Sequence, residues 1–352
     1  MWKSSRAFRA GLLLLGLLQA FPSAGDEPEP ALERLALGSC ADQERPQTVW
    51  KAFAATEPDL VLLLGDNIYA DTEDPEVRAA AYAKLGAVPE FAELRRRVPF
   101  LFTWDDHDYG ASDGGAEYPA KEKSKQQMLD FFEVPADHEL RRRPGVYQAK
   151  IFGPEGRRVQ VILLDGRSFR SPLLADPSPH RRYQPNLDPA ATMLGEDQWA
   201  WLREQLKQPA EFRLIGSGVQ VLSYAGGFEG WKTLPLEQER LFAAIRETRA
   251  AGVVFLSGDA HYTQLVRADG GVGYPLYELV SSGLTHGNPA GANRPSPLAV
   301  YRPYGGINFG TIDFTWGDRP SLTLRSHDVE GLVVFEHKIY LEDLQPPTES
   351  VK

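Results

Sequence analysis

Three times along this 352-residue chain an apolar run stops and a phrase of acids and histidine begins. Asp59-Leu60-Val61-Leu62-Leu63-Leu64 leads into Gly65-Asp66-Asn67-Ile68-Tyr69. The shorter stretch Phe100-Leu101-Phe102-Thr103-Trp104 leads into Asp105-Asp106-His107-Asp108, and Val253-Val254-Phe255-Leu256 is followed closely by Gly258-Asp259-Ala260-His261. A short run without polar alternation is a strand covered on both faces, which implies a sheet with further layers above and below it. In such folds the C-terminal ends of neighbouring strands share one crevice, and side chains placed there converge. Carboxylate oxygens suit calcium, magnesium, manganese or ferric iron, and imidazole nitrogen suits the transition metals. The three phrases therefore mark a candidate metal centre.

The rest of the chain supplies the layers. Leu35 to Ser39 reads as a first strand, and Pro46 to Glu57 has helical spacing with Val49, Trp50 and Phe53 on one side. With the Asp59 to Leu64 strand this makes a strand–helix–strand unit, the mark of a parallel sheet. Alanine-rich Val77 to Arg97 reads as one helix, Val98 to Trp104 as a strand and Lys121 to Glu133 as a helix. Val146 to Phe152 and Arg158 to Leu164 read as strands around a Gly153-Pro154-Glu155-Gly156 turn. Pro172 to Pro189, rich in proline and carrying Arg181 and Arg182, is a long surface loop of the kind that rims a site. Gly195 to Leu206 and Glu237 to Ala250 read as helices. Phe212 to Gly216, Val219 to Leu222 and Val253 to Leu256 read as strands, as do Asn308 to Phe314, Ser321 to Ser326 and Leu332 to Glu336 in the tail. No repeat and no clean linker interrupts residues 26–352, so one domain is expected there.

Lys3, Arg6 and Arg9 precede an apolar run from Ala10 to Ala20, followed by Ser23, Ala24 and Gly25. That order is a secretory signal peptide over residues 1–25. A membrane anchor is the competing reading, but the run is short for a bilayer. The expected location is therefore periplasmic or extracellular, without a stable membrane anchor. The leader has no adjacent Arg-Arg pair, which argues against export of a folded, metal-loaded protein. Its removal takes away three positive charges and no acid, moving the net charge from −10 to −13. A chain this acidic is a poor binder of nucleic-acid backbones, so no sequence-specific nucleic-acid partner is expected. Its lone cysteine, Cys40, is either a buried thiol or a ligand.

The order and wording of the phrases resemble the metallophosphoesterase superfamily and, within it, the PhoD-type alkaline phosphatase/phosphodiesterase family. The resemblance runs from Leu35 to Ser326. It implies an α/β fold, a four-layer αββα sandwich of two mixed β-sheets flanked by helices, with the tail strands completing the second sheet. It implies that Asp66 bridges two metals and that Tyr69, at an Asp-x-x-Tyr spacing, gives a phenolate. Asp106 would bind the second metal, with Asp105 an interchangeable choice, and His107 would protonate or stabilise the leaving-group oxygen. Asp259 and His261 stand where most of the superfamily has Gly-His-x-His. Gly38-Ser39-Cys40 replaces the usual Asp-x-His, which makes Cys40 a thiolate ligand, with Asp42 an alternative. Asp165-Gly166-Arg167 resembles a Leu-Asp-x-Arg phrase. Arg167 either clamps phosphate oxygens through its planar fork or forms a structural pair with an acid. Ser112-Asp113 departs from the Asn-Asp common in relatives. His286 is a candidate pocket residue, while His138, His180, His327 and His337 read as surface residues.

The implied activity is exported, metal-dependent hydrolysis of phosphate mono- or diesters by attack of a metal-activated water or hydroxide on phosphorus. The partner would be a small-molecule phosphate ester. The cofactors would be two or more metal ions, Fe3+ and Ca2+ first, with manganese, zinc and magnesium open. Oligomeric state is open. A phosphodiesterase or phospholipase-like enzyme with little monoesterase action is one rival, and an exported binding module stabilised by calcium is another. Cys40 beside Tyr69 argues against the latter, since calcium has no use for a thiolate.

Overall fold

The computed structural model describes residues 30–347 except 180 and 224–226. The leader expected over residues 1–25, and His180, lie outside the described residues. Three parallel neighbours open the first sheet: β1 (Arg34–Gly38), β2 (Leu60–Leu64) and β3 (Phe100–Thr103). Successive side chains of a strand point to opposite faces. In β2, Leu60, Leu62 and Leu64 enter the core shared with the second sheet, and Val61 and Leu63 enter the core beneath the helices. Two apolar faces account for the unbroken apolar run. Truncating a side chain such as Leu62 to alanine would cost about 2–5 kcal/mol.

The helices over the first sheet are α1 (Val49–Ala54), α2 (Pro75–Gly86), α3 (Pro89–Arg97), the single turn α4 (Asp106–Tyr109) and α5 (Lys121–Phe131). Trp50, Phe53, Leu85, Phe91 and Met128 carry their apolar faces into one cluster with Ala36, Val61 and Leu63. The helix expected over Val77 to Arg97 is thus two helices. Val88 takes an extended conformation (φ −67°, ψ 118°) because the ring of Pro89 excludes the helical one. Likewise α1 occupies only the middle of the expected Pro46 to Glu57 span.

The second sheet begins with β4 (Gln148–Phe152) and β5 (Val159–Leu163), an antiparallel pair. The long loop that follows contains a small hairpin, β6 (Leu174–Ala175) with β7 (Tyr183–Gln184). Next come α6 (Gly195–Leu206), β8 (Phe212–Ser217), α7 (Pro235–Thr248), β9 (Val253–Ser257), β10 (Thr263–Asp269), β11 (Pro275–Ser281) and the four-residue α8 (Pro289–Ala292). The sheet order is β10-β11-β9-β8-β5-β4, with β5, β8, β9 and β11 parallel. Trp199, Leu202, Leu241 and Ile245 of α6 and α7 belong to the core of this sheet. The final strands are β12 (Asn308–Thr315), β13 (Ser321–Asp328) and β14 (Val333–Tyr340).

The architecture is the expected α/β sandwich of two mixed sheets with helices outside. Two expectations about its strands fail. The tail completes the first sheet, because β12 pairs antiparallel with β1; the β10–β11 hairpin, not foreseen, fills that place in the second. Val219 to Leu222 is no strand. The N–H groups of Val221, Leu222 and Ser223 donate instead to the buried carboxylate of Glu278, at 2.6, 2.9 and 2.7 Å.

Candidate metal centre

The C-terminal ends of β1, β2, β3 and β9 meet at one edge of the sandwich, where the hydroxyl of Thr103 donates to the carbonyl of Leu164 across the sheets at 2.8 Å. Gly65 lets β2 and β3 close up: it has φ +100°, and a Cβ there would stand 2.5 Å from the Cβ of Asp105. The Asp108 carboxylate ties the two ends together. It accepts the N–H of Asp105 at 2.7 Å, of Asp66 at 3.3 Å and of Asn67 at 3.1 Å.

Asp66 is the hub. Its Oδ2 lies 3.3 Å from the Cys40 thiol and 3.3 Å from the Tyr69 hydroxyl, and its Oδ1 accepts the His107 N–H at 3.2 Å. The Tyr69 hydroxyl is 3.0 Å from His261 Nε2, and the Tyr69 ring stacks on His107 with centroids 4.1 Å apart. Donor atoms of Cys40, Asp66 and His261 fall within 4.8 Å of one another, and so do those of Asp66, Asp106 and His107. Asp259 lines a cavity of about 410 Å³ together with Asp106, His107 and His261. The Gln220 amide spans to it, donating to the Gly258 carbonyl at 2.6 Å and to Asp259 Oδ2 at 3.2 Å.

Four of these residues hold backbones that L-residues avoid. Cys40, Asp66, Asp259 and His261 have φ of 64°, 51°, 66° and 56°. Such left-handed positions concentrate where surrounding structure over-determines a site. Electrostatics point the same way. Burial, then the neighbouring Cys40 and acids, push the Asp66 carboxyl well above its ordinary range. Burial, then Glu229 and Asp106, push Asp259 up to about 7. Burial pushes the Cys40 thiol up to about 12, against hydrogen bonds with Ser282 and Ser39. Asp106 differs: burial raises it, but Arg167, His107 and the N–H of Asp113 together hold it low. Buried like charges are unstable unless a cation joins them. Among the described residues no cationic side chain forms an ion pair with Asp66, Asp259 or Cys40. A thiol, a phenol, three carboxyls and an imidazole converge here, and of the carboxyls only Asp106 has a cationic side chain in ion-pair reach, from His107; this is a donor set that fits metal ions.

His107 is set to carry a proton. Its Nδ1 lies 2.7 Å from Asp71 Oδ2, and its Nε2 lies 3.9 Å from Asp106 Oδ1. Burial lowers its pKa, but the bond to Asp71 and the charge of Asp106 outweigh that and raise it. Arg167 stands apart from the other expected residues. It is fully buried rather than on the cavity wall, with Nε donating to Asp105 Oδ1 at 2.7 Å and Nη1 to Glu229 Oε2 at 2.9 Å. The structural pair is the arrangement found, with Glu229 as a second acid. The guanidiniums on the cavity wall are those of Arg182, from the proline-rich loop, and Arg294.

Other placements differ from expectation. Asp42 caps its own loop and binds Arg45 at 2.9 Å, away from the donors. His286 sits behind Tyr69, 3.4 Å from its hydroxyl, and is not on the cavity wall. His327 is buried, stacked on Phe309 and 2.9 Å from the Thr311 hydroxyl. Asp71, Gln220, Glu229 and Ser282 were missed. Asp71 lies two residues beyond the Gly65–Tyr69 phrase and Ser282 directly follows β11, but no local signal singles out any of the four, and only the folded chain brings them to the centre.

A family model described as PhoD-like phosphatase matches residues 35–302. Alkaline phosphatase D of Bacillus subtilis (strain 168) is 23% identical over 275 residues, which cover 64% of this chain and 45% of that protein. The chain thus spans less than half the length of this curated relative. Among solved structures, that of PhoD matches with a TM-score of 0.64 at 16% identity, covering 88% of this chain and 72% of the other. A dimetal phosphatase from Danio rerio matches with a TM-score of 0.50 at 14% identity, covering 90% of this chain and all of the other. At these identities the structural likeness is one of fold.

Proposed function

Because the chain belongs to the PhoD-like phosphatase family, we propose that it is a metal-dependent hydrolase of phosphate esters with the cluster around Asp66 as its active site. The observation that supports this most is that Asp66 is shared by two donor groups beside one cavity. Cys40, Tyr69, Asp66 and His261 would hold one ion, and Asp66, Asp106 and Asp259 another. Thiolate and phenolate suit ferric iron, and a carboxylate set suits a hard divalent ion such as calcium. Bound there, the ions would neutralise phosphate charge and make water a stronger nucleophile.

The remaining steps belong to the chain. Asp71 holds the His107 ring through Nδ1, so that Nε2 is the nitrogen free to hand a proton to the leaving-group oxygen. Tyr69 stacks on that ring and fixes its plane. Arg182 offers a guanidinium for a phosphate oxygen in the cavity. Arg167 acts at one remove, as a positioning residue that anchors Asp105 and with it the turn carrying Asp106 and His107. The same reading takes residues 1–25 as a cleaved leader and residues 26–352 as one exported domain. N-terminal sequencing of the secreted protein tests the cleavage. Among the described residues no helix is long and apolar enough to cross a membrane.

The test is release of p-nitrophenol from its phosphate monoester and from bis(p-nitrophenyl) phosphate, before and after chelation and with iron and calcium restored. Turnover that chelation abolishes and metal restores supports the reading, and the ratio of the two rates assigns mono- or diester preference. Turnover indifferent to chelation sinks it. Metal binding with no turnover on either ester favours the binding module.

A further inference from the structure

The cavity beside the donors has a volume of about 410 Å³, within the range of roughly 300–1,000 Å³ that accommodates a whole small molecule. Part of its wall has a chemistry that metal binding does not explain. Phe228 lies on that wall and is 59% exposed. Among the described residues no ring or guanidinium packs on it. Its backbone is nonetheless held in place: the carbonyl of Gly227 accepts the N–H of Arg182 at 2.9 Å and of Tyr183 at 2.8 Å. Gly227 has φ +99°, and a Cβ there would meet Arg181 Cγ at 2.6 Å, so the strap carrying Phe228 is pressed against the loop carrying Arg182.

Two guanidiniums share the wall. Arg182 is 2.8 Å from Asp113 Oδ2. Arg294 lines the cavity, is exposed, and forms no ion pair among the described residues. With no carboxylate in ion-pair distance among the described residues, the Arg294 guanidinium is open to an anionic group of a molecule bound in the cavity. An exposed ring face attracts another flat ring, and guanidinium both pairs with carboxylate or phosphate and stacks on aromatic planes.

We infer that Phe228 and Arg294 form a leaving-group subsite, which selects phosphate esters whose leaving group joins a flat ring to a second negative charge. The ring lies on Phe228 and the charge pairs with Arg294. The inference rests on the reading of the Asp66 cluster as the hydrolytic centre and adds to it the choice of substrate.

The experiment compares kcat/KM on butyl, phenyl and 3-carboxyphenyl phosphate, or on their methyl diesters if diesters are what the protein hydrolyses. Each variant is compared with the unaltered protein on the same ester, so intrinsic leaving-group reactivity cancels. Phe228→Ala should lower kcat/KM roughly fivefold more on the phenyl than on the butyl ester, and Phe228→Leu, which keeps apolar bulk without the ring face, should do nearly the same. Arg294→Gln should lower the 3-carboxyphenyl ester about threefold more than the phenyl ester. Both side chains are exposed, and unchanged melting temperatures would show that the variants fold. Variants that scale all three esters by one factor overturn the subsite and leave the hydrolytic centre standing. If the metal-loaded, unaltered protein turns over none of these esters, the hydrolytic reading falls and the subsite with it.

Discussion

Arg167→Met should destabilise the fold rather than weaken phosphate binding. The guanidinium, Asp105 and Glu229 are exposed by only 1%, 2% and 3%. Nε donates to Asp105 at 2.7 Å, Nη1 to Glu229 at 2.9 Å and to the Gly114 carbonyl at 3.3 Å, and Nη2 bridges both carboxylates. Methionine fills similar space, so the loss is mainly electrostatic: buried Asp105 loses its cation, and Glu229 keeps only the longer contact with Arg170 at 3.9 Å. Breaking a buried pair by removing one partner costs about 3–5 kcal/mol. Urea unfolding followed by tryptophan fluorescence reads that loss directly. Adding Glu229→Gln removes one orphaned charge and should return roughly 1–3 kcal/mol of it through coupling. If instead Arg167 clamps phosphate, the single variant would lose under about 1 kcal/mol while KM rises tenfold or more. That pair of results would refute the buried-anchor argument.

Asp66→Asn should abolish turnover and halve bound metal without lowering the stability of the metal-free protein, because it removes a charge from a cluster of like charges; metal analysis and a melting curve on the same preparation check this. Tyr69→Phe should remove the tyrosinate vibrations enhanced in the resonance Raman spectrum of a ferric phenolate while leaving the far-ultraviolet spectrum unchanged, and tyrosinate vibrations that survive would exclude Tyr69 as the ligand. Asp313 provides a pH test away from the site. Burial raises its carboxyl, but the hydrogen bonds from Arg34 and Arg325 hold it lower than usual. Its folded pKa is therefore below its unfolded one, so its contribution is present above the ordinary carboxylate range and is lost as pH falls through the folded value. The stability gap between the protein and Asp313→Asn should shrink on acidification, and a gap that widens would contradict the assignment. Chelation should lower the melting temperature in a way that added metal reverses, as any ligand of the folded state requires.

The strand ends were legible because burial on both faces leaves an unmistakable mark, an apolar run cut off by acids. Cys40, Asp66, Tyr69, Asp106, Asp259 and His261 could be read as a set for that reason, with family resemblance setting their roles. What escaped depended on partners far along the chain. The surroundings of Arg167 are set by Glu229, 62 residues on. Glu278, more than 50 residues beyond Val221, draws away the N–H groups that a strand over Val219 to Leu222 would have needed. Pro89 is a different case: the break it imposes between α2 and α3 was readable from one residue, and alanine-rich helical spacing obscured it. Likewise, nothing local tells β12 to pair with β1, since alternation in a tail strand states which face is apolar and not which sheet edge is open.

The left-handed backbones of Cys40, Asp66, Asp259 and His261 have a consequence for how this chain could change over time. At each position glycine would relax the main chain, and each side chain in a strained region costs on the order of 1–3 kcal/mol. A screen that rewarded only folding, heat tolerance or yield would thus drift toward glycine at these four places and erase the donors one by one. The sites most improvable for the fold are those it can least spare for chemistry. Libraries built to harden this scaffold should hold these four positions fixed, and a hardened variant that has lost them would have gained its stability by giving up the proposed metal centre.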